Sequence, residues 1–190
     1  ALSSDTRLSQ SLPSDIQDWQ QAMQIDQYPE GIFLPDTYSF NPGERDLDVL
    51  MRAHQALKRT LEESWTTRST QQLASPEEAL IMASIIEKET AVEAERQTIA
   101  GVFENRLRKG MKLQTDPTVI YGLFPDFDGN ITRKNLREPT PYNTYTIKRL
   151  PPTPIAMPSV ASIRAATQPE QHDYLYFVAS GEGGHRFAES

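Results

Sequence analysis

The sequence predicts an α+β fold, namely a helix-rich single domain with a buried central helix and a small antiparallel sheet or hairpin near the C-terminus. Apolar residues recur at helical spacing over residues 45–65, and residues 76–89 are apolar nearly all round. Two short β-prone segments flank a glycine-rich turn at residues 181–184. With 190 residues, 37% of them hydrophobic, the chain can bury one core. We expect a domain over residues 28–190, preceded by a helical lead-in over residues 1–27.

The first half of the chain alternates polar and helical segments. Leu12, Ile16, Trp19 and Met23 are spaced three or four apart, which predicts one short amphipathic helix. Residues 30–40 are expected to be extended, broken at Pro35, and to form a wall of a cleft. A long amphipathic helix is predicted over residues 45–65.

Two capping signals frame the central helix. Ser75 can cap it, Pro76 suits its first position, and Glu78 would complete a capping box. Residues 90–93 (TAVE) resemble a second capping box, so we expect the central helix to stop near residue 89. The next helix then runs to about residue 109, with Gly110 just beyond its end.

The second half is predicted to be mostly irregular. Asp116 is expected to cap a short helical turn at Pro117, and residues 124–158 form a long Pro-rich and Asn-rich loop. A loop of that length in a compact domain is usually functional or disordered. Ser159 is expected to cap a helix to about residue 167. Strands are predicted at residues 174–179 and 185–187, joined by a hairpin turn.

Composition excludes several classes of protein. The net charge is -7 without a basic cluster, which argues against a nucleic-acid partner. There are no cysteines, and His54, His172 and His185 lack metal-ligand spacing, so neither a metal nor another cofactor is expected. No phosphate loop or nucleophile elbow is present. No apolar stretch reaches the roughly 20 residues of a membrane helix, so these residues are expected to be soluble.

The strongest candidate for chemistry is the pair of acids in residues 81–90 (IMASIIEKET). A carboxyl group against hydrocarbon at a helix C-terminus has a raised pKa and can act as a general acid. On a helical wheel Glu89 shares a face with bulky apolar residues, whereas Glu87 falls near smaller ones. The alternative is a solvated helix end, in which both acids pair with Lys88 or Arg96.

Asp36 and Asp116 are candidates for a second carboxylate of a two-acid glycosidase, although a capping or turn role is the preferred interpretation of each. Tyrosines cluster near the loop-rich segments, at positions 38, 121, 142, 145, 174 and 176. A cleft of Tyr, Asn and Thr suits a polysaccharide, because sugar rings present apolar faces and hydroxyl edges. Half or more of these tyrosines are expected to be core residues.

Eight ordered motifs give the chain a resemblance to a known family. They are PDTY at 35–38, ASIIEKET at 83–90, NRL at 105–107, LQTDPTVIYG at 113–122, YNTY at 142–145, LPP at 150–152, YLYFVA at 174–179 and GGHRF at 183–187. Over roughly residues 28–187 the chain is similar to the MltG (YceG-like) family of endolytic murein transglycosylases.

The resemblance implies cleavage of peptidoglycan between N-acetylmuramic acid and N-acetylglucosamine without water, leaving 1,6-anhydro ends on trimmed or terminated nascent strands. It implies Glu89 as the catalytic acid and base, with Glu87 as the fallback. The implied substrate-binding residues are Asp36, Tyr38, Gln114, Thr115, Asn143 and Tyr145.

The resemblance also implies a place in the cell. Family members carry a membrane anchor and a LysM-like domain ahead of this region, so we expect a single-pass inner-membrane protein with a periplasmic catalytic domain. Penicillin-binding proteins and other cell-wall synthases are the expected protein partners. Two alternatives stay open: a non-catalytic peptidoglycan-binding module, and a hydrolase using Glu89 with a second carboxylate.

Overall fold

The computed structural model of the chain describes residues 7–12, 21, 23 and 30–190. Within these residues the helices are α1 (Asp46–Thr66), α2 (Pro76–Glu89), α3 (Arg96–Arg108), α4 (Asp116–Leu123), α5 (Arg133–Arg137) and α6 (Val160–Thr167). A 3₁₀ helix, Glu93–Glu95, precedes α3, and two strands, β1 (Tyr176–Ala179) and β2 (His185–Ala188), follow α6. The α+β class is confirmed.

Helix α2 is the centre of the core. Its side chains at 79, 83, 85 and 86 have no exposed surface, and it packs against α1, α3 and α6. A helix that is apolar all round needs neighbours on every side, which is the physical basis of the buried-helix prediction. Its one interior polar side chain, Ser84, donates to the carbonyl of Ile81 (2.7 Å) and accepts from the backbone N–H of Ile155 (3.0 Å). The long loop is thereby tied to the core.

The start of α2 follows the sequence signal only in part. Ser75 caps the helix by accepting from the backbone N–H of Glu78 at 3.3 Å. The Glu78 carboxylate, however, accepts from the N–H of Ala74 at 2.8 Å rather than from that of Ser75. The reciprocal half of the predicted capping box is therefore displaced by one residue.

The predicted second capping box does not form. Thr90 is the C-cap of α2. Its hydroxyl accepts from the N–H of Val92 and donates to Glu95, instead of accepting from the N–H of Glu93. The chain consequently makes a 3₁₀ turn first, and α3 begins only at Arg96. The end of α3 is as predicted: Gly110 has a φ of 68°, and the N–H of Met111 reaches the carbonyl of Arg106, which is a Schellman motif.

The C-terminal hairpin matches the predicted turn, with slightly shifted strands. Strands β1 and β2 are antiparallel, with Phe177 opposite Phe187 and Ala179 opposite His185. The first strand begins at Tyr176, two residues later than expected. Phe177 packs edge-on against Phe103 of α3, with ring centroids 5.7 Å apart, so the hairpin is fastened to the core.

Two N-terminal predictions have different outcomes. The amphipathic helix expected around residues 12–23 lies mostly outside the described residues. Residues 30–40 form turns and bends with no strand, because their backbone bonds go to other elements, as in the bond from the N–H of Leu34 to the carbonyl of Ala53. Within the described part of the chain, no helix is both long and apolar enough to cross a membrane.

Candidate active site

Glu89 is the last residue of α2, and its carboxyl group faces the start of α4. Burial raises the pKa of Glu89, and the nearby negative charge of Asp116 raises it further. The Thr115 hydroxyl donates to Oε1 and opposes this rise, as do electrostatic interactions with His185 and with the Arg106 guanidinium. Burial prevails, so the pKa of Glu89 lies above its ordinary value, as the helix-end argument predicts.

Glu87, only two residues away, has the opposite environment. Its Oε2 accepts from the backbone N–H of Ser159 (2.9 Å), the Ser159 hydroxyl (2.6 Å) and the Ser162 hydroxyl (2.7 Å). Arg96 approaches Oε1 at 3.4 Å. Burial would raise the pKa of Glu87, but these donors outweigh it and the pKa is lowered. Glu87 is an ionised group that fastens the N-terminus of α6 to α2.

A tight loop brings Thr115 to Glu89. Gln114 has a φ of 53°, a left-handed conformation that is uncommon for a residue other than glycine. The backbone N–H of Thr115 donates to the Thr144 hydroxyl at 3.0 Å, and the N–H of Gln114 donates to the Thr144 carbonyl at 3.2 Å. The long loop therefore holds the residues that meet Glu89.

Arg106 also binds the backbone of the loop that carries Thr115. Its guanidinium is buried and donates to the carbonyls of Leu113 (2.8 Å) and Leu175 (2.6 Å). It also lies over the ring of Tyr176, 5.1 Å from the centroid. No described carboxylate forms an ion pair with this guanidinium, and its positive charge acts on Glu89 at longer range.

Asp116 and Tyr145 form a second polar pair at this end of the site. The Tyr145 hydroxyl donates to Oδ1 of Asp116 at 2.6 Å. Burial and the Asp116 carboxylate raise the pKa of Tyr145, so its hydroxyl keeps its proton. The expectation that Asp116 caps α4 is wrong: Thr115 is the N-cap residue, and the Asp116 side chain makes no cap bond because it points to Tyr145.

The remaining predicted site residues are dispersed. Asn143 is 1% exposed and donates to the carbonyls of Asn135 (3.0 Å) and Glu138 (2.7 Å), while its own oxygen accepts from the N–H of Tyr145 (2.9 Å). The Asn143 side chain therefore holds the backbone of the loop together. The exposed Gln114 side chain lies at the site, its oxygen 3.4 Å from a guanidinium nitrogen of Arg106.

Asp36 and Tyr38 lie on the Glu87 side of the molecule. Asp36 is exposed and lines a cavity of about 500 Å³ together with Arg96 and Ser159, which are both partners of Glu87. Tyr38 is half-buried and donates to the carbonyl of Leu34 at 2.8 Å. The structure thus brings Gln114, Thr115 and Tyr145 to Glu89 and leaves Asp36 and Tyr38 elsewhere.

An aromatic cavity of about 820 Å³ adjoins the site. Lys88 and Pro117, the chain neighbours of Glu89 and Asp116, form part of its wall. Its aromatic lining is Tyr121, Phe124, Phe127 and Tyr142. Two of the clustered tyrosines thus line this cavity, whereas Glu89, Thr115 and Tyr145 are not among its lining residues. Among the described residues, no group of acidic or histidine side chains could hold a metal ion.

Three residues near Glu89 were not found from the sequence: Arg106, Glu95 and His185. In the sequence Arg106 appears as part of the NRL motif, and His185 appears as part of GGHRF and as a histidine without metal-ligand spacing. Glu95 and His185 are bonded to each other across 90 positions in the chain, a contact that neither spacing nor periodicity reveals.

Fold and site together define an α+β domain built around a desolvated carboxylic acid at a helix end. The chain belongs to the YceG-like family, whose model matches residues 3–190.

The similar proteins are longer than this chain. An endolytic murein transglycosylase of Bacillus subtilis (strain 168) is 40% identical over 154 residues, which cover 81% of this chain and 42% of that protein. One from Streptococcus pneumoniae serotype 2 is 32% identical over 161 residues, covering 79% and 28%. A crystal structure of a YceG-like protein from Listeria monocytogenes has a TM-score of 0.73 at 34% identity, covering 92% of this chain and 60% of that one. The chain therefore spans less than half the length of the two curated relatives.

Proposed function

We propose that residues 28–190 are the catalytic domain of an endolytic lytic transglycosylase. Its substrate is the glycan strand of peptidoglycan, cut at the β-1,4 bond between N-acetylmuramic acid and N-acetylglucosamine with formation of 1,6-anhydro ends. The observation that carries the proposal is the raised pKa of Glu89 beside the lowered pKa of Glu87. The names of the relatives supply the substrate class.

One carboxyl group serves both halves of the proposed reaction. Protonated Glu89 gives its proton to the glycosidic oxygen as the C–O bond to the anomeric carbon breaks. The resulting carboxylate then takes the proton of the muramic 6-hydroxyl as that oxygen bonds to the anomeric carbon. Glu89 ends protonated, and no water is consumed. Thr115 holds Oε1, and no described residue hydrogen-bonds Oε2, which leaves Oε2 for the substrate.

The neighbouring groups have narrower proposed roles. Gln114 and Tyr145 border Glu89 and are proposed to contact the sugar at the scissile bond. Asn143 acts through Tyr145, whose backbone it holds. Asp36 and Tyr38 are proposed to meet the strand further away, beside the cavity near Arg96.

A hydrolase is the second candidate, because the charge of Asp116 acts on Glu89 and the two carboxyl groups are therefore near each other. In a retaining or inverting glycosidase a second carboxylate attacks the anomeric carbon or activates water. The bond from Tyr145 holds one oxygen of Asp116, and no described residue hydrogen-bonds the other, so the products must separate hydrolysis from the lytic mechanism. The third candidate is a peptidoglycan-binding module without turnover.

Product analysis separates the three. Purified glycan strands are incubated with the native protein, Glu89→Gln and Glu87→Gln, and the new ends are identified by mass spectrometry. We expect anhydro ends with the native protein and none with Glu89→Gln. Glu87→Gln is the matched control and should retain turnover at a temperature where it stays folded. Reducing ends would indicate hydrolysis, and binding without new ends would indicate a module.

The proposed location is the periplasmic face of the bacterial inner membrane, where nascent strands are made, with penicillin-binding proteins and other synthases as partners. The full-length protein should fractionate with membranes, be digested by protease added to opened periplasm, and be crosslinked to a synthase. Recovery in the cytosol would contradict this location.

A further inference from the structure

A histidine and a glutamate form a closely bonded pair between the hairpin and the helical core. Glu95 accepts from His185 twice: Oε1 from the backbone N–H and Oε2 from Nδ1, both at 2.8 Å. The hydrogen bonds from His185 lower the pKa of Glu95, so Glu95 is an ionised acceptor. Nδ1 therefore carries the hydrogen in this bond, and the tautomer of the imidazole is fixed.

The imidazole is held on its other sides as well. Its ring packs edge-on against Phe177, with centroids 5.3 Å apart, and lies 6.5 Å from Phe187. Glu95 also approaches Gly184 closely: a Cβ at this position would lie 2.5 Å from Oε1, so a larger residue would displace that oxygen. Ring packing and the two bonds together give one orientation.

Nε2 of the fixed imidazole takes no part in holding the hairpin to the core. Among the described residues, none hydrogen-bonds Nε2 of His185, and the side chain is 16% exposed. Packing alone does not require this nitrogen, because a phenylalanine ring would fill the same aromatic cluster.

The pair is also joined to the acid of the site. Thr90 follows Glu89 directly, and its hydroxyl donates to Oε2 of Glu95 at 3.3 Å. His185 also acts electrostatically on the Glu89 carboxylate, so the two side chains lie near each other. Besides His185, Thr115, Asp116 and Arg106 act on Glu89.

We propose that His185 is an additional active-site residue, oriented by Glu95, whose Nε2 hydrogen-bonds the glycan that lies over Glu89. The ligand class is a hydroxyl or acetamido group of an amino sugar next to the scissile bond. Glu95 is a positioning residue, because it acts through His185. The inference rests on the proposed function for its ligand and names a contact that the Glu89 mechanism does not need.

Two substitutions of His185 separate the contribution of the ring from that of Nε2. His185→Phe keeps the ring packing and removes both nitrogens. His185→Gln places an amide near the position of Nε2 without the ring. We expect His185→Phe to reduce kcat/KM on glycan strands by about 100-fold and His185→Gln by about 10-fold, as for a lost and a partly retained polar contact to the transition state. Arg186→Gln, at an exposed neighbouring position of β2, is the matched control and should stay close to the native rate.

A binding measurement keeps the inference testable if turnover fails. In a Glu89→Gln background, strand affinity is compared with and without His185→Phe, and the Nε2 resonance of His185 is followed by nitrogen-15 NMR during addition of strands. We expect weaker binding and a shifted Nε2 resonance. Failure of the proposed function would appear as absent cleavage by the native protein, with the Nε2 shift still present.

Unchanged turnover and affinity in a folded His185→Phe, with an Nε2 resonance that strands do not move, would overturn the inference and make the pair purely structural. Glu95→Gln adds a separate readout. Its amide cannot enforce the Nδ1–H tautomer as strongly, so a rise in the Nε2–H form should accompany a lower kcat/KM. A lower melting temperature with an unaltered tautomer and unaltered kinetics would contradict the positioning role.

Discussion

The hydrogen bond from Thr115 to Glu89 gives a quantitative prediction. Thr115→Val removes the hydroxyl and nearly conserves the shape of a side chain that is 2% exposed. A hydrogen bond to a charged group contributes about 1.5–3 kcal/mol and one between neutral groups about 0.5–1.5 kcal/mol. The bond thus favours the carboxylate over the carboxylic acid by about 1–1.5 kcal/mol. Its loss should raise the pKa of Glu89.

The assay is the pH dependence of kcat/KM for glycan cleavage. In the proposed mechanism protonated Glu89 starts the reaction, so activity should fall on the alkaline side as Glu89 ionises. Since one pH unit corresponds to about 1.4 kcal/mol, the alkaline limb of Thr115→Val should move up by about one unit. Thr115→Ser keeps the hydroxyl and is the control. An alkaline limb that stays in place, or moves down, would refute the assignment of Thr115 as a donor to the catalytic acid.

Three further predictions concern stability and turnover. Glu87→Gln should lower the free energy of unfolding by about 2 kcal/mol at pH 7, because charge-assisted bonds to α6 are weakened. The pKa of Glu87 is lowered in the folded protein, so this loss of stability should disappear as the pH falls through that pKa. Urea titrations at several pH values measure the loss, and a loss independent of pH would contradict the prediction. Gly101→Ala should destabilise the chain by about 1–3 kcal/mol despite better helix propensity, because the added methyl group would overlap the carbonyl of Glu170; a raised melting temperature would be the contrary result. Tyr145→Phe should reduce kcat/KM about 10-fold by freeing Asp116, and unchanged kinetics would exclude that role.

Local signals were sufficient for most of the helical framework. The apolar periodicity of α1, the all-round apolarity of α2 and the Ser159 cap of α6 each depend on residues close in the chain, so spacing alone locates them. The Gly110 ending is equally local, because only the left-handed conformation of that residue is needed. Two local options compete at Thr90, whose hydroxyl bonds Glu95, and Glu95 is itself bonded by the distant His185.

The site was only partly predictable for the same reason. The wheel separated Glu89 from Glu87, since both positions belong to one helix of known period. It gave no account of the donors at Ser159 and Ser162, which are 72 and 75 positions away from Glu87 and lower its pKa. Neither could spacing indicate that Asn143 is enclosed by the loop carbonyls. Contacts between distant segments depend on packing that a single sequence does not display.

The two glutamates can be titrated directly in one experiment. Carbon-13 NMR of the side-chain carboxyl groups, assigned with Glu89→Gln and Glu87→Gln, reports the pKa of each without requiring turnover. The structure predicts that Glu89 titrates above the ordinary range of glutamate and Glu87 below it. If Glu89 titrates at or below that range while Glu87 titrates above it, the assignment of Glu89 as the proton donor is contradicted.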